Sequence, residues 1–301
     1  MDREVFFELV EVKAKTASVF PFFIGICFSW YHYRSLHLGF VLLFFVAMFV
    51  FNMAVDILDN YNDYLHAKEG HDYKEKTNII GRENLSLPML RRWIIWMVSL
   101  SALMGIGLSF IVGWPLLLMG IYCYSIGIFY SSGPKPLSSL PLGEVFSGLT
   151  MGFMIPLICI YINTYEIFQW SFVNVGSIFL VTLPNTCLIA NLMLANNICD
   201  LEEDEKNHRF TLVHYLGKKV SILLFVGLIV IAFLSIFVAV WFQLTPVTML
   251  LTLLVLPFIW KQTRLFLKKQ VKTETFSCAI KILAVGALAQ VLFFSIGIIF
   301  L

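Results

Sequence analysis

Asn52, Asp56, Asp59, Asn60 and Asp63 fall on one broad face of a helix when the chain is read with a period of about 3.6 residues. An apolar run beginning near Leu38 leads into them, so the stretch from Asn52 to Asp72 closes a membrane-length helix. Carboxylates at membrane depth are costly and persist mainly where they line a polar cavity with a partner. Several on one stripe repel each other unless a cation sits among them. The second half of the chain answers with N-N-I-C-D-L-E-E-D, Asn196 to Asp204, again at the end of a long apolar run. There Asn197, Asp200 and Asp204 recur about one turn apart. Two acidic helix ends in one apolar chain point to a shared divalent-ion site.

Carboxylates alone would define a cation site. Lys15, Arg82, Lys135 and Arg209 are expected to ring them, Arg82 and Arg209 from the loops that follow the two motifs, which adds an anion to the expectation. Magnesium takes a few carboxylates together with phosphate oxygens and keeps several waters, so a diphosphate fits this mixture. Cations neutralise its oxygens and stabilise it as a leaving group. A lipid tail on that diphosphate would suit an apolar helical body. Departure of the diphosphate would leave an allylic cation that must be kept from water. Tyr122, Phe129 and Tyr130, at the end of the fourth apolar run, offer aromatic faces at the same level. Against this, the chain is 16% aromatic, and most rings pack or anchor at the interface. His66, His71, His208 and His214 have no ligand spacing, and the six cysteines lie singly, so neither a zinc site nor a disulfide framework is expected.

These residues need elements to hold them. The chain has 301 residues, 59% hydrophobic and 13% charged, the composition of a polytopic membrane protein. Apolar segments are expected near 16–31, 38–64, 90–112, 114–131, 142–163, 172–198, 219–242, 246–260 and 276–300, the eighth extending as far as Phe266 in a longer reading. The acidic N-terminal stretch lacks a cleavage pattern, so no signal peptide is read there. With the N-terminus in the cytoplasm, the loops 65–89, 132–141, 199–218 and 261–275 are inside and carry nearly all the loop Lys and Arg, Lys68, Lys74 and Lys76 among them. Only Arg34 lies in an outside loop. Both acidic ends then face the cytoplasm. The expectation is one all-α integral-membrane domain of about nine transmembrane helices, in two acidic-motif halves near 1–140 and 141–301. Its surroundings are membrane lipid, with no nucleic acid partner. The basic tract Lys261–Lys272 reads as an anionic-lipid contact.

A secondary transporter also has repeated halves and intramembrane acids. Its acids lie nearer the bilayer midplane beside helix-breaking residues. Here they lie toward one face, beside basic loops and without Pro in the motif, which favours an enzyme.

Several ordered segments resemble the UbiA-type intramembrane prenyltransferases, and most of all their menaquinone-pathway branch, across nearly the whole chain. These are A-K-T-A-S-V-F-P-F-F-I-G (Ala14 to Gly25), I-I-G-R-E-N-L-S (Ile79 to Ser86), Y-S-S-G-P-K-P-L-S-S-L-P-L-G-E (Tyr130 to Glu144) and N-N-I-C-D-L-E-E-D-E-K-N-H-R-F-T-L from Asn196. The family's first motif is N-D-x-x-D-x-x-x-D. Asp56, Asp59 and Asp63 match its carboxylates, Val55 stands where Asn is usual, and Asn52 resembles an upstream Asn that would supply an amide. Asn60 has no motif role. The resemblance implies a nine-helix ring in a bacterial plasma membrane with its site toward the cytoplasm. It implies magnesium held among Asn52, Asp56, Asp59, Asp63, Asn197, Asp200 and Asp204. Lys15, Arg82, Lys135 and Arg209 would bind the diphosphate, and Asp56, Asp63, Asp200, Asp204 and Tyr130 would serve catalysis. The implied reaction moves a polyprenyl chain from polyprenyl diphosphate to dihydroxynaphthoate with loss of its carboxylate. Another acceptor, such as 4-hydroxybenzoate, is the alternative within the family.

Overall fold

The computed structural model describes residues 2–66 and 78–300. Lys68, His71, Asp72, Lys74 and Lys76 of the expected first inside loop lie outside the described residues. No strand occurs among the described residues. The helices are α1 (Arg3–Leu9), α2 (Thr16–Tyr33), α3 (Leu38–His66), α4 (Ile79–Arg82), α5 (Leu87–Val112), α6 (Trp114–Ser131), α7 (Gly143–Thr164), α8 (Phe172–Lys206), α9 (Leu212–Trp241), α10 (Val247–Lys268) and α11 (Phe276–Ile299). Among the described residues eight of them, α3 and α5 to α11, are long and apolar enough to cross a bilayer. The remaining expected span is present as the helix α2, outside those eight. Ser18, Pro21 and Ser29 interrupt its apolar run, and it closes on Trp30, Tyr31, His32 and Tyr33.

Helix limits follow local chemistry. Pro88 and Pro115 sit in the first turns of α5 and α6, where a missing N–H costs nothing. Gly113, at φ 99°, separates these two helices in a conformation that a side chain would resist. Helix α8 runs to Lys206, past the apolar run that ends near 198, so the second acidic motif is itself helical. Helix α9 starts at Leu212 but breaks at Gly217 (φ 73°, ψ 157°), so its uninterrupted part begins where the apolar run does. Helix α10 continues to Lys268, the longer of the two sequence readings.

The chain forms two compact units, one of Met1–Lys15 with Leu38–Pro136, the other of Thr16–His37 with Leu137–Leu301. In the first unit, Leu9 and Val10 after α1, Ala54 and Ile57 of α3, Ile79 and Ile80 of α4, and Leu90 and Met97 of α5 share one buried cluster. That cluster fixes the polar end of α3. In the second unit α8 is central, and glycines bring it close to α7. A Cβ on Gly148 would fall 2.7 Å from the Thr186 carbonyl oxygen, and one on Gly152 would fall 2.4 Å from the Thr186 Cα. A π-helical stretch over Gly148–Met154 accompanies this approach.

The expected division near residue 140 therefore differs from the structure in segment 16–37, which packs with the second unit. The reason lies in small side chains. A Cβ on Gly25 of α2 would sit 2.8 Å from the Cys159 Cβ of α7, and Cys27 Sγ lies 3.5 Å from Ser295 Oγ of α11.

Candidate active site

Each unit carries one acidic helix end. In the first, α3 stays helical through Asn52, Asp56, Asp59, Asn60 and Asp63. Buried Leu9 and Val10 anchor the chain before a short turn, Val12–Lys15, which delivers Lys15 against α3. The Lys15 ammonium donates to Asn52 Oδ1 at 2.5 Å and to the Asn52 carbonyl oxygen at 3.2 Å, and it pairs with Asp56 Oδ2. Lys15 is 4% exposed. Burial lowers its pKa to about 7 and Glu11 opposes that fall. The Asp56 carboxylate in contact favours the charged form.

Asp59 and Asp63 are half-buried on the same face as Asp56. Asn60 turns to structure instead, its Nδ2 donating to the Asp56 carbonyl at 3.1 Å while its own carbonyl accepts from Asn78 at 3.0 Å. Asn62 Nδ2 donates to the Ser131 carbonyl and to Ser132 Oγ, at 3.1 and 2.9 Å, tying the end of α3 to the end of α6 beside half-buried Tyr130. Arg82 is placed apart from this stripe. Its guanidinium donates to Glu8 at 2.8 Å and Glu83 at 3.0 Å, and those bonds raise its pKa. Lys135 is exposed in the loop after α6.

In the second unit, the end of α8 presents two sets of contacts. On one, Lys272 Nζ binds Asn196 Oδ1 and Asp200 Oδ2. On the other, buried Asn197 donates from Nδ2 to Glu144 Oε1 at 2.8 Å. That assignment leaves the Asn197 amide oxygen as the acceptor. One turn beyond Asp200, Asp204 is 6% exposed, while Glu202, Glu203 and Glu205 are solvated. The chain reverses at His208 (φ 57°), so that the Arg209 backbone N–H reaches the Asp204 carbonyl at 2.8 Å and its Nε lies 3.3 Å from Asp204 Oδ1. Asp204 Oδ2 is buried without a hydrogen bond among the described residues, as is Glu144 Oε2. An orphaned buried carboxylate oxygen is costly and marks a place for a cation or a donor.

The structure thus brings Lys15 to Asn52 and Asp56, and Arg209 to Asp204. It adds two residues that spacing did not single out, Glu144 and Lys272, and gives Asn196, which stands beside Asn197 in an otherwise apolar helix, a partner in Lys272. Lys272 closes the basic tract Lys261–Lys272 expected to meet anionic lipid, yet its ammonium pairs with Asp200. One signal was present in the sequence. Asn196 precedes Asp200 by four positions, as Asn52 precedes Asp56.

Among the described residues no three Asp, Glu, His or Cys side chains are gathered around one point for a metal. The donor set still suits magnesium. All candidate donors are hard oxygens, two Asn–Asp pairs already clasp an ammonium, and Asp204 Oδ2 is free to take a further cation. A cavity of about 440 Å³, lined in part by His32, Tyr33 and Asn174, lies at the start of α8 and so at the other end of that helix from Asp204.

A sequence profile described as the UbiA prenyltransferase family matches residues 18–294. The chain is 29% identical over 235 residues to the 1,4-dihydroxy-2-naphthoate octaprenyltransferase of Bacillus subtilis strain 168, covering 77% of this chain and 72% of that one. In fold it is similar to the apo structure of a UbiA homologue from Aeropyrum pernix K1, with a TM-score of 0.69 at 16% identity over 93% of this chain and 98% of that one. It is also similar to a UbiA homologue from Archaeoglobus fulgidus bound to DMAPP and Mg2+, with a TM-score of 0.62 at 13% identity over 97% and 99% of the two chains.

Proposed function

Because the chain belongs to the UbiA prenyltransferase family and is an integral-membrane prenyltransferase, we propose that it transfers a polyprenyl chain from polyprenyl diphosphate to 1,4-dihydroxy-2-naphthoate. The reaction needs magnesium and releases the ring carboxylate as carbon dioxide, giving the reduced form of demethylmenaquinone for menaquinone biosynthesis. The observation that carries this reading is that each unit ends a long apolar helix in an Asn–Asp pair that clasps a cation. The naphthoate acceptor is supported by the Bacillus subtilis relative, and the magnesium and prenyl diphosphate by the Archaeoglobus fulgidus homologue.

In this reading the magnesium ligands are Asn52, Asp56, Asp59 and Asp63 in the first unit and Asn197, Asp200 and Asp204 in the second. The metal, when bound, neutralises the phosphate oxygens and stabilises the diphosphate as a leaving group. Lys15, Arg82, Lys135 and Arg209 bind those oxygens, with Arg82 exchanging its surface carboxylates for phosphate. The allylic C–O bond breaks with its electron pair leaving on the diphosphate. Tyr130 shields and stabilises the cation left behind. The electron-rich naphthoate carbon forms the new C–C bond, and loss of carbon dioxide from that carbon returns the electron pair to the ring. No strong base is required for this. The apolar body takes the prenyl tail and the surrounding membrane lipid. The chain acts as one domain of nine spans, α2 included, in a bacterial plasma membrane, with the N-terminus and both acidic ends cytoplasmic; the basic loops support that orientation.

The test is turnover by detergent-purified protein given radiolabelled polyprenyl diphosphate and dihydroxynaphthoate, with no membrane gradient. Product is expected with magnesium and not with a chelator. Undiminished turnover in chelator would overturn the metal requirement.

A further inference from the structure

Lys272 stands in a built turn. Lys269 just before it is taken up by Glu274 at 2.6 and 2.8 Å, and the Val271 N–H donates to Thr275 Oγ1 at 3.0 Å. Those bonds aim the Lys272 side chain at α8, where its ammonium meets Asn196 Oδ1 and Asp200 Oδ2 and lies 4.9 Å from the centre of the Phe276 ring. An oxygen pair and an aromatic face hold one cation. The first unit repeats the oxygen pair independently. There Lys15 bridges Asn52 and Asp56, also an amide and a carboxylate four residues apart on one helix. A lysine placed only for membrane topology would have no reason to reproduce this geometry.

We propose that Lys272 is a diphosphate-binding residue, and that in the metal-free protein its ammonium is the resident counter-ion of Asn196 and Asp200. This rests on the magnesium–diphosphate reading above. A divalent ion arriving at Asp200 competes with the ammonium for the same two oxygens. The displaced lysine, 44% exposed at its side chain and tethered by the turn, stays within reach of the anion that arrives with the metal. The Asp200 carboxylate thereby keeps a counter-ion with or without the metal.

Two binding measurements on detergent-purified protein test this. Mn2+, a hard-oxygen substitute for magnesium, is titrated alone and followed by the loss of the free-ion EPR signal. Inorganic diphosphate is then titrated into the Mn2+-loaded protein. Lys272→Met should bind Mn2+ alone about two- to fivefold more tightly, the range open to a part-exposed ion pair, and should bind diphosphate more weakly. Lys272→Arg, which keeps the charge, should restore diphosphate binding. Equal affinities of Lys272→Met and the unaltered chain for both ligands would overturn the assignment while leaving the magnesium reading intact. If neither chain binds Mn2+, with or without diphosphate, that reading fails and takes this one with it.

Discussion

An amide oxygen and a carboxylate oxygen one turn apart on an apolar helix are poorly matched to lipid and well matched to a cation. Asn52 and Asp56 form such a pair, and the buried ammonium of Lys15 already fills it. Asn60, on the same face, spends its amide on backbone carbonyls. Substituting the two asparagines should therefore separate function from structure. Asn52→Ala should cut turnover by about tenfold or more and raise the magnesium needed, since it removes a hydrogen bond to a charged group, worth about 1.5–3 kcal/mol. Asn60→Ala should leave turnover near normal and lower thermal stability by about 1 kcal/mol. Steady-state assays at varied magnesium, with unfolding followed in the same detergent, check both; the reverse order of damage would contradict the placement of the polar stripe. The stripe itself was legible, because three aspartates on one helical face in apolar sequence need a partner. Glu144 and Lys272 were not. Their partners Asn197 and Asp200 lie 53 and 72 positions away, and no local spacing encodes such a meeting.

At the scale of elements, the position of the second acidic motif depends on how closely α7 approaches α8. Gly152 permits that approach, since a methyl group there would lie 2.4 Å from the Thr186 Cα, which cannot turn away as a side chain would. Gly152→Ala should cost about 1–3 kcal/mol through overpacking and reduce turnover by displacing the helix that carries Asn197 and Asp200. Gly176, also in α8, has nothing within 4 Å of its added methyl. Gly176→Ala should be neutral or slightly stabilising, because Ala favours the helix by up to about 1 kcal/mol. Thermal unfolding of the two variants in detergent checks the contrast, and equal losses would show that close packing at Thr186 is not what the glycine serves. Hydropathy made the spans readable, since length and apolar composition are local properties. It did not show that α8 continues past its apolar run, nor that α2 joins the second unit. Those outcomes depend on Asp and Glu staying helical beyond the apolar run, and on small residues finding partners far along the chain.

Across the whole molecule, two units each supply an acidic helix end and a lysine that neutralises it. The chain is an intramembrane prenyltransferase by family, and the proposed activity is defined by its acceptor. Dihydroxynaphthoate must surrender its carboxyl group if the prenyl chain takes the same carbon, whereas 4-hydroxybenzoate can be prenylated at a free ring position. The fate of that carboxyl group is therefore the most direct test. Purified protein is given carboxyl-labelled dihydroxynaphthoate, a polyprenyl diphosphate and magnesium, and labelled gas is counted against prenylated product. The account predicts one labelled carbon dioxide for each prenylated ring. Product that keeps the label, or turnover with 4-hydroxybenzoate alone, would contradict it.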